Sequence, residues 1–297
     1  MRFDGRLARV ITAMITPFAP DLSVDYAEAR RLARHLVNSG SDGLVVCGTT
    51  GESPTLSDSE KLRLFEAVLD EVGDDALVVA GTGSNNTLHT LELTQAAARL
   101  GVHGAMLVTP YYNKPPQEGL YRHFAAVADK VDLPLLIYNV PGRTGCNLLP
   151  DTLARLAKDY PNVVAVKEAS GLLDQVAEIR TRCGPGFVIY SGDDNLTLPI
   201  MSVGGDGIVS VASHIAGDEI QSMIRAFLAG DVARAAALHR RLLPLFKVMF
   251  VTTNPVPVKA AVAMRGFNVG GLRPPLVEAT EAEKARIREV MESLDLL

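Results

Sequence analysis

The run Val163-Val164-Ala165-Val166 ends in a lysine, Lys167. A continuous β-branched stretch of this kind reads as a strand buried on both faces. An ammonium is costly to bury, so the lysine must be paired, or neutral and functional. Glu168 follows directly, but on a strand it points to the opposite face and makes a poor partner. A lysine free in water is only about 0.1% neutral near pH 7.5, so a nucleophilic lysine needs surroundings that favour the uncharged amine. A neutral amine attacks a ketone and forms a Schiff base. The iminium then withdraws electrons, and the neighbouring carbon can lose a proton and become a nucleophile. The plain alternative is a structural lysine whose head snorkels to the end of the strand.

Such chemistry needs a proton shuttle. Tyr138 ends the run before Lys167's run, within reach of its amine if the two are neighbouring strands. Thr49 and Tyr112 are candidates to extend a chain of hydroxyls. Each tyrosine taken alone also suits a half-buried rim position. Gly48-Thr49-Thr50-Gly51-Glu52 offers backbone N–H groups and hydroxyls for a small carboxylate. Arg143, after Pro141-Gly142, is placed to clamp a second carboxylate bidentately, or is a surface loop arginine.

Other chemistries lack their residues. The six histidines form no HxxxH or HExxH, so metal hydrolysis is not expected and no metal or cofactor is. No GxSxG elbow supports a serine nucleophile. Cys47 sits within a strand run and reads as core. Asp193-Asp194 reads as turn and helix-cap chemistry. No phosphate cup accompanies Lys167, so pyridoxal phosphate is not indicated.

The elements that must position these groups follow a rhythm. Short apolar runs at Val10–Thr16, Gly43–Gly48, Leu77–Gly83, Gly104–Pro110, Pro134–Val140, Val163–Ser170, Phe187–Gly192 and Gly207–Ser213 each end in small or polar residues. Amphipathic segments lie between them. Ala29, Leu32, Ala33, Leu36 and Val37 share a helical face. Ser57 and Glu60 form a capping box before Leu62, Phe65, Leu69 and Val72. Gly101 stops the helix that starts near Thr87, and Pro150 suits a first turn. Eight strand–helix units predict an α/β fold, a (β/α)8 barrel over residues 1–230, with extra C-terminal helices over 231–297 packed on it. In such barrels the active site forms at the C-terminal ends of the strands, where Thr49, Thr50, Tyr112, Tyr138, Arg143 and Lys167 fall. A doubly wound sheet is the alternative, but Gly81-Thr82-Gly83 is no GxGxxG and does not follow the first strand.

Composition bounds the partners. The chain has 297 residues, 47% of them hydrophobic, and a net charge of -5. This argues against nucleic acid or an anionic membrane as partner. Three dispersed cysteines, Cys47, Cys146 and Cys183, imply neither a disulfide framework nor zinc, and point to a reducing cytoplasm. The apolar run at Val10–Ile15 is too short for a signal segment, and no stretch approaches the length of a membrane helix.

The residues as a set resemble the dihydrodipicolinate synthase family, in the superfamily that includes N-acetylneuraminate lyase. The likeness runs over nearly the whole chain. It is carried by Gly48-Thr49-Thr50-Gly51-Glu52-Ser53, Val108 to Pro115, Tyr138-Asn139-Val140-Pro141-Gly142-Arg143-Thr144-Gly145, Val166 to Ala169, Ser191 to Asp194 and Asn254-Pro255-Val256-Pro257-Val258-Lys259. The resemblance implies that Lys167 forms the Schiff base with pyruvate. Thr49, Tyr138 and Tyr112 would form the proton relay, with Tyr112 entering from the neighbouring subunit of a tight dimer. Thr49 and Thr50 would hold the pyruvate carboxylate, and Arg143 that of L-aspartate 4-semialdehyde. Gly192 and Val209 would line the site through their main chain. A cytoplasmic homotetramer, a dimer of dimers in the diaminopimelate route to lysine, is the implied assembly. A 2-keto-3-deoxy-sugar-acid aldolase or a sialate lyase would share Lys167, Tyr138 and the glycine turn, but is not expected to carry Arg143. A catalytically silent paralogue is disfavoured by the intact Lys167, Tyr138, Tyr112 and Thr49.

The same resemblance marks an effector cleft. Lysine-inhibited relatives bind free lysine at the dimer interface, where Tyr111 and Asn85 match. Asp58 and Lys61 stand where those enzymes often carry histidines, and His89 stands in place of a glutamate. A ligand ammonium would lack the expected carboxylate and meet Lys61 as a like charge. Asp58, in the first turn of a capped helix, is expected to serve the helix dipole. These differences predict weak or absent inhibition by lysine.

Overall fold

Each of the eight apolar runs forms a strand, and each strand is shorter than its run. The computed structural model describes residues 1–3 and 6–297. The strands of its barrel are β1 (Val10–Ala13), β2 (Gly43–Val46), β3 (Leu77–Gly81), β4 (Gly104–Val108), β5 (Leu135–Asn139), β6 (Val163–Glu168), β7 (Val188–Ser191) and β8 (Gly207–Ser210). They are parallel and hydrogen-bonded in sequence order, and β8 closes back onto β1. Closure rules out the doubly wound sheet. The trimmed residues at the C-terminal end of each run leave the sheet to build the rim.

The helices are α1 (Tyr26–Asn38), α2 (Asp58–Val72), α3 (Thr87–Leu100), α4 (Gln117–Ala128), the single turn α5 (Pro141–Thr144), α6 (Pro150–Asp159), α7 (Leu173–Cys183), α8 (Thr197–Ser202) and α9 (Ser213–Leu228). Their ends follow the local chemistry. Ser57 and Glu60 cap α2 reciprocally, Gly101 ends α3 in the left-handed region, and Pro150 opens α6. One face differs from expectation. In α2 the fully buried stripe is Leu64, Phe65, Val68 and Val72, while Leu62 and Leu69 are only half-buried at its flanks. The stripe also carries Lys61 inward, which matters below.

Beyond α9 come α10 (Val232–Val248), capped by Asp231, then α11 (Val256–Met264) and α12 (Glu281–Ser293). Leu245 of α10, Val258 of α11 and Ile287 of α12 join the same apolar layer as Leu32 of α1 and Phe65 of α2. Each such side chain contributes roughly 1.5–3 kcal/mol on full burial. The C-terminal helices are therefore cemented to the barrel through its common outer core. No helix among the described residues is long and apolar enough to cross a membrane.

The barrel lumen holds a second apolar cluster, with Ile11, Val45, Val79, Leu136, Ala165, Tyr190 and Val209. At its floor the Tyr190 hydroxyl accepts from the Met1 amino group at 3.0 Å and donates to the Ala8 carbonyl at 2.9 Å. One irregularity sets the phase of the site. Leu135 pairs with Val163 but Leu136 with Ala165, so β6 bulges by one residue at Val164. After the bulge Ala165 and Lys167 stand beside Leu136 and Tyr138, facing the lumen.

Candidate active site

Lys167 lies one residue from the C-terminal end of β6, 5% exposed, with its stem among lumen side chains. Tyr138 of β5 is its register partner. Its Nζ sits 4.2 Å from the centroid of the Tyr138 ring, a cation–π distance. Glu168 faces outward, as its strand position requires. Its carboxylate accepts from the side chains of Asn139 and Gln175, both at 3.1 Å, and from the Ser170 amide at 2.7 Å. It is thus no ion-pair partner for Lys167. Tyr190, the neighbour of Lys167 on β7, spends its hydroxyl at the floor and plays no part at the rim.

A cleft of about 510 Å3 opens from the rim, walled by Thr49, Tyr138, Arg143 and Thr144. Thr49 heads the turn after β2. In that turn the amide of Gly51 donates to the Gly48 carbonyl and that of Glu52 to the Thr49 carbonyl, both at 3.1 Å. Gly51 therefore offers no free donor, contrary to the sequence reading. Among the described residues the amides of Thr49 and Thr50 donate to nothing, so these two remain for an incoming carboxylate. Cys47, beneath the turn, is fully buried, and desolvation pushes its thiol far up from the usual range. It is core, as expected.

Arg143 projects from α5, which Pro141 opens and the Thr144 hydroxyl braces by donating to the Val140 carbonyl at 3.1 Å. Its side chain is exposed at the cleft mouth. Tyr112 is different. It lies on the loop after β4, held by a bond from its amide to the Thr144 carbonyl at 3.3 Å. Its φ is +73°, it is 89% exposed, and it does not line the cleft of its own chain. A non-glycine residue held in the left-handed region is uncommon and persists where surrounding structure enforces it.

Two acidic neighbours divide their work. Asp194 is buried and accepts from the Ser210 hydroxyl and from the amides of Val211 and Ala212 at 3.1 and 3.0 Å, so it serves as a loop cap. Asp193 does not, and this corrects half of the sequence reading. Burial raises its carboxyl above the ordinary aspartate range, while the charges of Lys167 and Arg143 oppose that rise. Its carboxylate thus lies within electrostatic influence of both Lys167 and Arg143. The signal for it was in the sequence, since it directly follows the strand end Ser191-Gly192. Gly192 lets β6 and β7 approach closely there: a Cβ would lie 2.5 Å from that of Ala169. Val209 is fully buried in the lumen cluster.

The residues of the expected effector cleft share this groove rather than a separate one. Asp58, Lys61, His89 and Tyr111 all line it, and the Asn85 amide donates to the Tyr111 carbonyl at 3.2 Å. Asp58 stands in the first turn of α2, but its carboxylate is not left to the helix dipole. It accepts from His89 Nε2 at 2.8 Å and lies 3.9 Å from Lys61 Nζ. No group of three or more metal-ligating side chains forms among the described residues.

Comparison with known proteins agrees over nearly the full length. Residues 6–294 match the model of the dihydrodipicolinate synthetase family. The 4-hydroxy-tetrahydrodipicolinate synthase of Desulforudis audaxviator is 60% identical over 289 residues, covering 97% of this chain and 98% of that protein. The enzyme of the same name from Desulforamulus reducens is 58% identical with the same coverage. Among solved structures, the dihydrodipicolinate synthase of Cyanidioschyzon merolae with lysine bound superposes with a TM-score of 0.96 at 49% identity, covering 97% of this chain and 98% of that one. The chain belongs to the dihydrodipicolinate synthetase family.

Proposed function

We propose that this family member condenses pyruvate with L-aspartate 4-semialdehyde to 4-hydroxy-tetrahydrodipicolinate, through a Schiff base on Lys167. The observation that carries the reading is the buried Lys167 amine on the face of Tyr138, whose ring lines the cleft that also holds Thr49 and Arg143. Relatives of that name at 58–60% identity support it. Lys167 Nζ attacks the pyruvate ketone, water leaves, and the iminium forms. Tyr138 and Thr49 carry protons to and from the departing oxygen. The methyl carbon then loses a proton, and the enamine attacks the aldehyde. The amides of Thr49 and Thr50 hold the pyruvate carboxylate, and Arg143 takes that of the semialdehyde. Gly192 and Val209 shape the wall beside the imine. Incubating the protein with both substrates and assaying the cyclic product tests the reading. A sugar-acid or sialate substrate cleaved to pyruvate in place of that condensation would overturn it.

Tyr112 completes the relay of a second subunit in this reading. Its exposed ring and enforced backbone support donation across a two-fold contact, within a cytoplasmic dimer of dimers. Tyr112→Phe should lower kcat by about 10–100-fold, the usual worth of one proton-transfer group. Mixed with Lys167→Ala protomers, it should rise above the activity of either parent, because one site in each hybrid dimer is then intact. A fully active monomer would contradict this assignment.

The groove also bears on feedback. The Asp58 carboxylate beside Lys61 is already shared between Lys61 and His89. A ligand ammonium would compete with both and meet Lys61 at close range. Titrating L-lysine into the condensation assay at saturating pyruvate should leave the rate nearly unchanged. Inhibition at sub-millimolar lysine would show that Asp58 is released to the ligand.

A further inference from the structure

The segment Asn254-Pro255-Val256-Pro257-Val258-Lys259 is far from the barrel rim in sequence and takes no part in the chemistry above. It nevertheless touches the carboxylate turn at two points. Asn254 is 6% exposed, and its Nδ2 donates to Thr50 Oγ1 at 2.9 Å. Five residues on, in α11, Lys259 Nζ donates to Glu52 Oε1 at 2.8 Å and to the Gly271 carbonyl at 2.6 Å. The other Glu52 oxygen accepts the amide of Arg273 at 3.0 Å. Lys259 and Glu52 are both almost wholly buried, and Lys259 also lies 4.2 Å from the centroid of the Phe18 ring.

Both contacts act on turn geometry that would otherwise be poorly fixed. Glu52 has φ +56°, a conformation that persists in a non-glycine residue only when its surroundings enforce it. The paired and fully bonded carboxylate supplies that enforcement. Thr50 has one hydroxyl proton and two lone pairs. Because it accepts from Asn254, its proton remains for another acceptor, beside the unbonded amides of Thr49 and Thr50. A carboxylate seated on those amides is that acceptor. Asn254 pays for the arrangement with its own Oδ1, which is buried without a partner.

We propose that Asn254 is a positioning residue for the first substrate: it orients the Thr50 hydroxyl toward the carboxylate of the 2-keto acid, while the Lys259–Glu52 pair holds the turn that presents it. The proposal rests on the assignment of Thr50 to the pyruvate carboxylate. A purely structural contact, tying the C-terminal helices to the rim, would lower thermal stability without selecting one substrate.

The test uses the full-length enzyme with Asn254→Ala, Asn254→Asp, Thr50→Val and the double variant Asn254→Ala/Thr50→Val. Each asparagine variant should raise KM for pyruvate about tenfold while changing kcat and KM for the semialdehyde by less than about threefold, the scale of one hydrogen bond to a charged group. Asn254→Asp removes the donor and draws the Thr50 proton to itself, so it should match Asn254→Ala. The double variant should bind pyruvate no worse than Thr50→Val alone, because both changes remove the same interaction. Unchanged pyruvate KM in the asparagine variants, or multiplicative losses in the double variant, would overturn the proposal. If the asparagine variants do not fold, Thr50→Ser against Thr50→Val decides. The serine must keep the pyruvate KM near wild type and the valine must raise it, and equal values sink the idea. Borohydride trapping of pyruvate on the wild type separates the two readings. Failure to trap removes the functional assignment itself, whereas trapping with a flat pyruvate KM removes only the role of Asn254.

Discussion

Borohydride added with pyruvate should fix a pyruvate-derived mass on the peptide that carries Lys167, and on no other. Lys167→Ala should lose both the label and the condensation, by a factor on the order of 10^4 or more, as when other covalent nucleophiles are removed. The geometry leaves no substitute. Lys61 lines the same groove but stands 3.9 Å from Asp58, and Lys259 is committed to Glu52 at 2.8 Å. Only Lys167 has its amine on the ring of Tyr138. Tyr138→Phe keeps that ring surface and removes only the hydroxyl. It should therefore still seat pyruvate and slow the trapping, by about 10^2–10^4-fold for a lost proton-transfer group. Label on a different lysine would transfer the chemistry elsewhere in the cleft, and label on none would end the Schiff-base mechanism.

Lys167 was legible because burial and charge conflict along one strand, and that conflict needs no tertiary information. The eight strands and the barrel were legible for a related reason: runs buried on both faces lose the alternation that an open antiparallel sheet retains. What stayed hidden depends on contacts between distant segments. The bulge at Val164 cannot be read from Val163-Val164-Ala165-Val166, yet it fixes which face Lys167 shares with Tyr138. The reach of Asp58 to His89 spans two helices, so its place in a capped first turn suggested the dipole alone. Asp193 and Asp194 are adjacent and chemically identical, and only packing separates the loop cap from the carboxyl that burial raises near Lys167 and Arg143. Lys259 illustrates the same limit from the other side. It lies in an apolar helix just as Lys167 lies in an apolar strand. Its buried partner Glu52, 207 residues away, makes it the paired case and not the nucleophilic one.

Arg143→Ala should leave pyruvate trapping intact and remove most of the condensation. The two carboxylates arrive in order. In the proposed reading the pyruvate carboxylate is met by the unbonded Thr49 and Thr50 amides, whereas Arg143 stands exposed at the cleft. A second carboxylate arriving with the semialdehyde meets the guanidinium only after the imine exists. Losing that charged contact should cost about 2–4 kcal/mol of transition-state stabilisation, roughly 30–1000-fold in kcat/KM for the semialdehyde. Arg143→Lys should recover only part of this, because a point charge replaces a planar fork matched to both carboxylate oxygens. The single-turn α5 makes the fork effective: Pro141 at its start and the Thr144 brace hold the backbone that carries it. Steady-state kinetics with the semialdehyde varied, alongside borohydride trapping on the same preparations, make the measurement. An Arg143→Ala enzyme that traps pyruvate and condenses at the wild-type rate would reduce Arg143 to a loop residue and return the sugar-acid aldolase as the better reading of the same Lys167.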